Sequence, residues 1–430
     1  MKNIILVISS LLISTLFLEL ALRLYPNKFH AQYTYYRKND TVGKIDTLQH
    51  VRDETRGFAY APSQTASRQS ACYDNQRIKI NSHGFRDKEW PSVPLSFSIA
   101  AFGDSMIVGR EVSEKQVVTN ILGELLGARV LNLGVNSYAP RNAQKTYEFF
   151  VNSLRPKIVL FFAYLSNDVI QNFCPFSNKF DYGCGSIDEN DKIVFSQIRP
   201  RDYVATVKPS GYLWKVGEAL GHVSVLLHVV YEARKALASL TKTNGLFGSH
   251  IEIMNTAESK EWRAAWNVFG ESIKRFRHSV EERGEKFILV LVPDNKINDS
   301  NLRSALLSSS GVWEMPDLDT KFPSERAESV AKELKVDYIN LAVSFEKYKN
   351  HHQLAAPYFS YRCDGHWNPL GHFVAAQAIA NFLIEKGYVD PPVLSDEQHS
   401  LSLKKTPKEI LGSEAFSMIY DSGVYYPMLN

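Results

Sequence analysis

Residues 95–105 read LSFSIAAFGDS, an apolar run from Leu95 to Phe102 that stops at Gly103-Asp104-Ser105. A short, mostly apolar run bounded by a turn is the pattern of a strand buried on both faces of a parallel sheet. Four more runs repeat it: Arg129 to Leu133, Lys157 to Leu165, Lys286 to Val292 and Val336 to Leu341. Helical patterns lie between them. Ser113 with Gln116 reads as a capping box for a helix to about Leu126. Arg141 to Ser153, Trp262 to Arg283 and Ser324 to Leu334 read as three further helices. This alternation predicts an α/β fold, a doubly wound and mostly parallel five-stranded sheet.

A serine directly after a buried strand lies at the edge of the sheet where ligands bind. Gly103 permits the tight turn, and the loop before Ser113 leaves the Ser105 hydroxyl room to face a substrate. The late segment CDGHWNP (363–369) supplies a possible partner. Asn368 suits a helix N-cap and Pro369 a first helical turn, ahead of a helix with Phe373, Ala376, Ile379, Ala380, Leu383 and Ile384 on one face. Asp364 and His366 therefore fall in the loop feeding that helix. With Gly365 alone between them, the carboxylate can reach one imidazole nitrogen and leave the other to take a proton from serine. Asn132-Leu133-Gly134 and Leu165-Ser166-Asn167-Asp168 end the second and third runs. A glycine amide and an asparagine side chain there are suitable donors to a tetrahedral oxyanion, beside the Ser105 amide. Taken singly, each feature has a plain reading as a turn or a cap. Together they occupy one edge of one sheet.

The ordered set Gly103-Asp104-Ser105, Asn132-Leu133-Gly134, Asn167-Asp168 and Asp364-Gly365-His366 resembles the SGNH (GDSL) hydrolase family, over roughly Leu95 to Gly387. The resemblance implies a flavodoxin-like sheet and acyl transfer through a serine. Ser105 would be the nucleophile, His366 its base and Asp364 the orienting acid. Ser105, Gly134 and Asn167 would form the oxyanion hole. No metal or organic cofactor is required by that chemistry. Residues 81–87 (NSHGFRD) and the apolar N-terminus are similar to the membrane-tethered bacterial members. Two departures stand out. Leu165 replaces the glycine of the family's Gly-x-Asn-Asp block, and Asp-x-His replaces Asp-x-x-His. The shorter spacing is similar to that of SGNH-like proteins that acetylate or deacetylate exopolysaccharides. The expected substrate is therefore an acylated carbohydrate or another ester, with an O-acetyltransferase on the same site as the alternative. A lipase or thioesterase, or a non-catalytic glycan-binding protein, are the further rivals.

Other catalytic motifs are missing: the chain has no GxSxG, P-loop, GxGxxG or HExxH. His351 and His352 read as surface residues, His372 as packing, and Asp104 as a hydrogen-bonding turn residue. Tyr138, Phe173, Tyr212, Trp214 and Trp367 are candidates for the floor of a sugar site.

Outside the sheet region, residues 1–25 carry Lys2 ahead of the apolar run Ile4 to Leu18. A signal anchor, with the catalytic domain extracytoplasmic (periplasmic or at the cell surface), and a cleaved signal peptide are the two readings. The lack of a small-x-small site favours the anchor. Residues 26–94 read as an irregular extension with a short strand at Gln76 to Ile80. Residues 95–390 form the hydrolase domain and 391–430 a tail. A segment at about 169–260 breaks the alternation and reads as a lid-like insert over the sheet edge. It contains Cys174 and Cys184, whose pairing would suit an oxidising compartment, whereas Cys72 and Cys363 leave connectivity open. The net charge of +3, without long runs of one sign, gives no basic stripe for nucleic acid.

Overall fold

The structure is a computed structural model that describes residues 10, 14–21, 45–46, 48–70, 73–90, 99–177, 183–200, 226, 252–294, 318–352, 359–361, 365–390 and 410. Five parallel strands form the central sheet. They are β6 (Ile99–Phe102), β7 (Val130–Asn132), β8 (Ile158–Tyr164), β11 (Lys286–Val292) and β12 (Asp337–Asn340), side by side in the order β12-β11-β8-β6-β7. All five fall within the apolar runs. Their side chains alternate between two cores, as the period of two requires. Phe102, Phe161, Phe287 and Leu289 point to one face, and Ala101, Leu160, Phe162 and Ile288 to the other.

Helices cover both faces, so the sheet is doubly wound. On one side lie α3 (Pro140–Leu154), α5 (Lys260–Glu281) and α6 (Phe322–Glu333); on the other lie α2 (Val118–Leu126), α7 (Leu341–His351) and α8 (Pro369–Glu385). The Asn368 cap of α8 is present, whereas Ser113 and Gln116 cap a single 3₁₀ turn (Glu114–Gln116) ahead of α2, whose own N-cap Val117 makes no side-chain bond. Gln116 Oε1 accepts from the Ser113 N–H and hydroxyl at 3.2 and 2.8 Å, and Asn368 Oδ1 accepts from Gly371 N at 3.0 Å. Helix α7 has no separate sequence signal, because it starts on the last residue of a run that reads as strand.

The chain runs from β6 outward to β7, then returns past β6 to β8 and continues to β11 and β12 in the opposite direction. The direction reverses between β6 and β8. A crevice forms at the carboxyl ends of such a pair, because the two following loops diverge. Ser105 follows β6 and Asn167 follows β8.

The extension is not irregular where it is described. Strands β2 (His50–Asp53) and β3 (Gly57–Tyr60) pair antiparallel, and β4 (Thr65–Ser70) lies between β1 (Ile45–Asp46) and β5 (Tyr73–Lys79). It is part of the main core: Phe58, Tyr60, Ile78, Ile80 and Phe85 are buried with the sheet side chains. Polar bonds fix it too, from Tyr138 Oη to Phe58 O at 2.7 Å and from Asn142 Nδ2 to Arg56 O at 2.8 Å. The short strand expected at Gln76 to Ile80 is β5, whereas β3 was hard to read because tertiary packing, not alternation, buries it: all four of its residues are inside.

The described part of the insert is a packing element on the flank. The antiparallel pair β9 (Gly185–Ile187) and β10 (Ile193–Phe195) lies against α5, and Phe195 is sandwiched by the guanidinium groups of Arg141 and Arg275. Cys174 and Cys184 form a disulfide. Of the lid-like insert expected at about 169–260, residues 201–251 with Tyr212 and Trp214 lie outside the described residues except for 226, as do Cys72, Cys363 and all of the 391–430 tail but 410. The same holds for most of the 1–25 span. Among the described residues no helix is long and apolar enough to cross a membrane.

Candidate active site

Ser105 opens the short helix α1 (Ser105–Val108), and Asp104 caps it by accepting from Met106 N at 2.9 Å. The turn behind the serine is tight. Gly109 ends α1 at φ 63°, a left-handed conformation that costs other residues, and a Cβ there would meet the His372 ring at 3.1 Å. Arg86, from the NSHGFRD segment, holds this turn from outside. Its guanidinium donates to the carbonyls of Val108 (3.1 Å), Gly109 and Val112 (2.8 Å). Burial pulls the Arg86 pKa down to about 10, which leaves it charged at neutral pH.

His366 arrives from the far end of the chain. Its loop is tied to residues 359–361: Tyr361 N donates to His366 O at 2.8 Å, Gly365 N to Tyr361 O at 2.6 Å and Asn368 N to Phe359 O at 3.0 Å. Beneath it Trp367 is fully buried against Phe345, and α8 starts directly after. These ties bring His366 Nε2 to 2.8 Å from Ser105 Oγ. That is hydrogen-bond range, with the hydroxyl donating when Nε2 is unprotonated. Ser105 is buried apart from 9% of its surface.

Asn167 stands across the crevice, in α4 (Leu165–Gln171). Its Nδ2 donates to Asp104 Oδ2 at 3.2 Å, which orients the amide toward the serine turn. Asp104 is buried, and burial raises its pKa. Asp168 is buried as well, and burial, then the nearby Asp104 charge, pushes its pKa well up; its Oδ2 accepts from Tyr164 N at 2.9 Å. Leu165, at the position of the family's glycine, is buried. Gly134 packs so closely that an added Cβ would lie 2.5 Å from Ile107 Cγ1. Its N–H donates to Asn132 Oδ1 at 3.0 Å, and Asn132 Nδ2 in turn donates to Ile107 O. Asp364 lies outside the described residues.

Two charged residues joined the site without a sequence signal. Glu111, fully buried, sits 3.6 Å by its Oε1 from His366 Nδ1 and 3.0 Å from Arg68 Nε. Arg68 comes from β4, and its guanidinium lies over Tyr73, which packs on Tyr361 beside the His366 loop. In the sequence, Glu111 looks like any surface charge between a turn and a helix, and Arg68 precedes the sheet altogether.

Several candidates take other roles. Tyr138, Phe173 and Trp367 are 1%, 4% and 0% exposed, so they are core and do not floor a sugar site. His372 is buried, its Nδ1 accepting from Val118 N at 3.3 Å. A cavity of about 610 Å³ opens on the same sheet edge, lined in part by Leu165 and Ser166 beside Asn167, by Asp294 after β11 and Asn340 at the end of β12, and by Ile253 and Val343.

No family model matches the chain, and no curated protein matches its sequence. Solved structures do. A lipase/acylhydrolase from Enterococcus faecalis is 14% identical with a TM-score of 0.34, over 69% of this chain and 100% of that one. An acetyl xylan esterase is 12% identical with a TM-score of 0.36, over 67% and 100%. A GDSL-like lipase from Bacteroides thetaiotaomicron is 13% identical with a TM-score of 0.32, over 67% and 88%. At such identities and scores the likeness says nothing of reaction or substrate.

Proposed function

We propose that this chain is a serine-dependent acyl-ester hydrolase of the SGNH type that removes O-acyl groups from envelope or exported polysaccharide. The observation that carries the reading is the 2.8 Å approach of His366 Nε2 to Ser105 Oγ at the crevice between β6 and β8. Nε2 takes the hydroxyl proton as Oγ attacks the ester carbonyl, and the carbonyl electrons move onto oxygen. That oxyanion falls among the Ser105 N–H, the Asn167 amide and the Gly134 N–H, which is then shared with Asn132. As the tetrahedral centre collapses, the departing alkoxide takes the proton from His366. Water, deprotonated by the same imidazole, then releases the acid from the acyl-serine. Asp364 belongs to the reading as the acid that orients His366.

The carbohydrate reading rests on the Asp-x-His spacing of residues 364–366, which is similar to that of SGNH-like proteins that acetylate or deacetylate exopolysaccharides. Export and anchoring through residues 1–25 fit the exposed Leu16, Phe17, Leu18 and Leu20 and the Cys174–Cys184 disulfide. Resolution of the acyl-enzyme by a sugar hydroxyl instead of water would make the same site an O-acetyltransferase.

The test is turnover of p-nitrophenyl acetate by the full chain beside its Ser105→Ala and His366→Ala variants. Release of nitrophenol is expected from the wild type, with each variant down on the order of a thousandfold or more. A folded wild type with no Ser105-dependent turnover of this ester or of an acetylated glycan overturns the reading.

A further inference from the structure

We infer that Glu111 is a positioning residue for His366, a carboxylate held in the core by Arg68 to face the Nδ1 side of the imidazole. The inference rests on the proposed acyl transfer and adds to it a residue outside the serine, glycine, asparagine and histidine blocks.

Three observations meet here. The first is direction. Ser105 Oγ takes the Nε2 side of His366 at 2.8 Å, and Glu111 Oε1 lies on the Nδ1 side at 3.6 Å. The second is burial. Glu111 is fully buried, and among the described residues no hydrogen bond reaches either carboxyl oxygen, although Arg68 Nε lies 3.0 Å from Oε1. A carboxylate taken out of water is costly even when paired, and an apolar residue of similar size would pack there at less expense. Arg68 offsets part of its charge, and what remains acts on the imidazole at 3.6 Å. The third is rigidity. Glu111 sits in the turn whose carbonyls at 108, 109 and 112 are all bound by Arg86, and Val112 N donates to Gly109 O at 3.2 Å. The nucleophile and this carboxylate are thus carried on one clamped segment.

Such an arrangement acts at one moment of the reaction. When the Ser105 Oγ–H bond breaks and the Nε2–H bond forms, the ring becomes an imidazolium with a proton on each nitrogen. Glu111 is placed to stabilise that cation from the Nδ1 side at 3.6 Å, in addition to Asp364, to which the proposed function gives the orienting hydrogen bond. Arg68, Arg86 and Arg110 are the positive groups near Glu111, and Asp104, buried beside the serine, is a second carboxyl whose charge acts on His366.

The experiment compares Glu111→Gln, Glu111→Asp and Arg68→Met with the wild type in the ester assay, after a melting curve on each. The expected result is a fall in kcat of about 10- to 100-fold for Glu111→Gln with KM within about twofold. Glu111→Asp should recover part of it, and Arg68→Met should lose less kcat than Glu111→Gln. A purely structural ion pair predicts instead that the Gln and Met variants suffer alike, and that result overturns the inference; so does a wild-type kcat in Glu111→Gln. If Glu111→Gln does not melt as a native protein, the double variant Arg68→Met/Glu111→Gln strands no charge and is read by its kcat in the same way. Ser105-dependent wild-type turnover alongside an unaffected Glu111 variant removes this inference alone. Absence of that turnover removes the hydrolase reading first.

Discussion

Asn167 illustrates how far a single side chain depends on its neighbour. Its amide carries two N–H bonds, and one is spent on Asp104 Oδ2 at 3.2 Å. The other is the one available to an oxyanion. Asp104 therefore serves twice, as the cap of α1 and as the anchor of Asn167. Replacing Asn167 by Ala should lower kcat by about 10²–10³-fold with little change in KM, since a donor to the developing oxyanion acts mainly in the transition state. Steady-state kinetics of the variant against the wild type would check it, and an unchanged kcat would remove Asn167 from the oxyanion hole.

Among the elements, α8 matters most to the site because its first residues continue the His366 loop. Asn368 caps it by accepting from Gly371 N, and its own N–H reaches Phe359 O. Loss of the cap in Asn368→Ala should cost about 1 kcal/mol. That would be read as a fall in Tm of roughly 2–4 °C. A variant melting with the wild type would mean that packing of Leu370, Phe373 and Val374 alone sets the start of this helix. Helix α1 is the opposite case. Four residues are too few to be stable by themselves, and it persists because Arg86 binds the carbonyls at its end from a separate segment.

On the scale of the whole molecule, the two faces of the sheet meet the site through buried ionisable groups, and His372 links them to acid stability. Burial first, and then the charges of Arg86 and His366, lower its pKa from 6.5 to about 3. The unfolded chain therefore takes this proton before the folded one does. The His372 contribution is complete above about pH 6.5 and is lost as pH falls toward 3, at up to about 1.4 kcal/mol per pH unit. Asp104 and Asp168, whose pKa values are raised, have the opposite sign. Denaturant melts of wild type and His372→Asn between pH 3 and 7 separate the terms. The wild type should lose stability faster on acidification, and parallel curves would show that His372 does not titrate in this way.

The sheet strands and every sheet-covering helix but α7 were legible because a doubly covered parallel sheet needs apolar runs of one length and amphipathic helices of another. Local composition states that requirement directly. Gly103-Asp104-Ser105, Gly134, Asn167 and His366 were legible as polar positions at the ends of those elements, although Ser105 and Asn167 lie in the short helices α1 and α4 and not in loops. The sequence did not determine which polar residues meet across the crevice. Glu111 and Arg68 carry no local signal, and Arg86 stood out only as part of NSHGFRD, since a charge reads the same whether its segment faces water or is folded under another sheet. Their burial depends on β4 and the NSHGFRD turn packing back onto the loop after Ser105, contacts between segments far apart in the chain. What began as a strand ending in Gly103-Asp104-Ser105 is, in three dimensions, a serine turn braced by Arg86, with His366 Nε2 at hydrogen-bond distance and Glu111 on the other side of the ring.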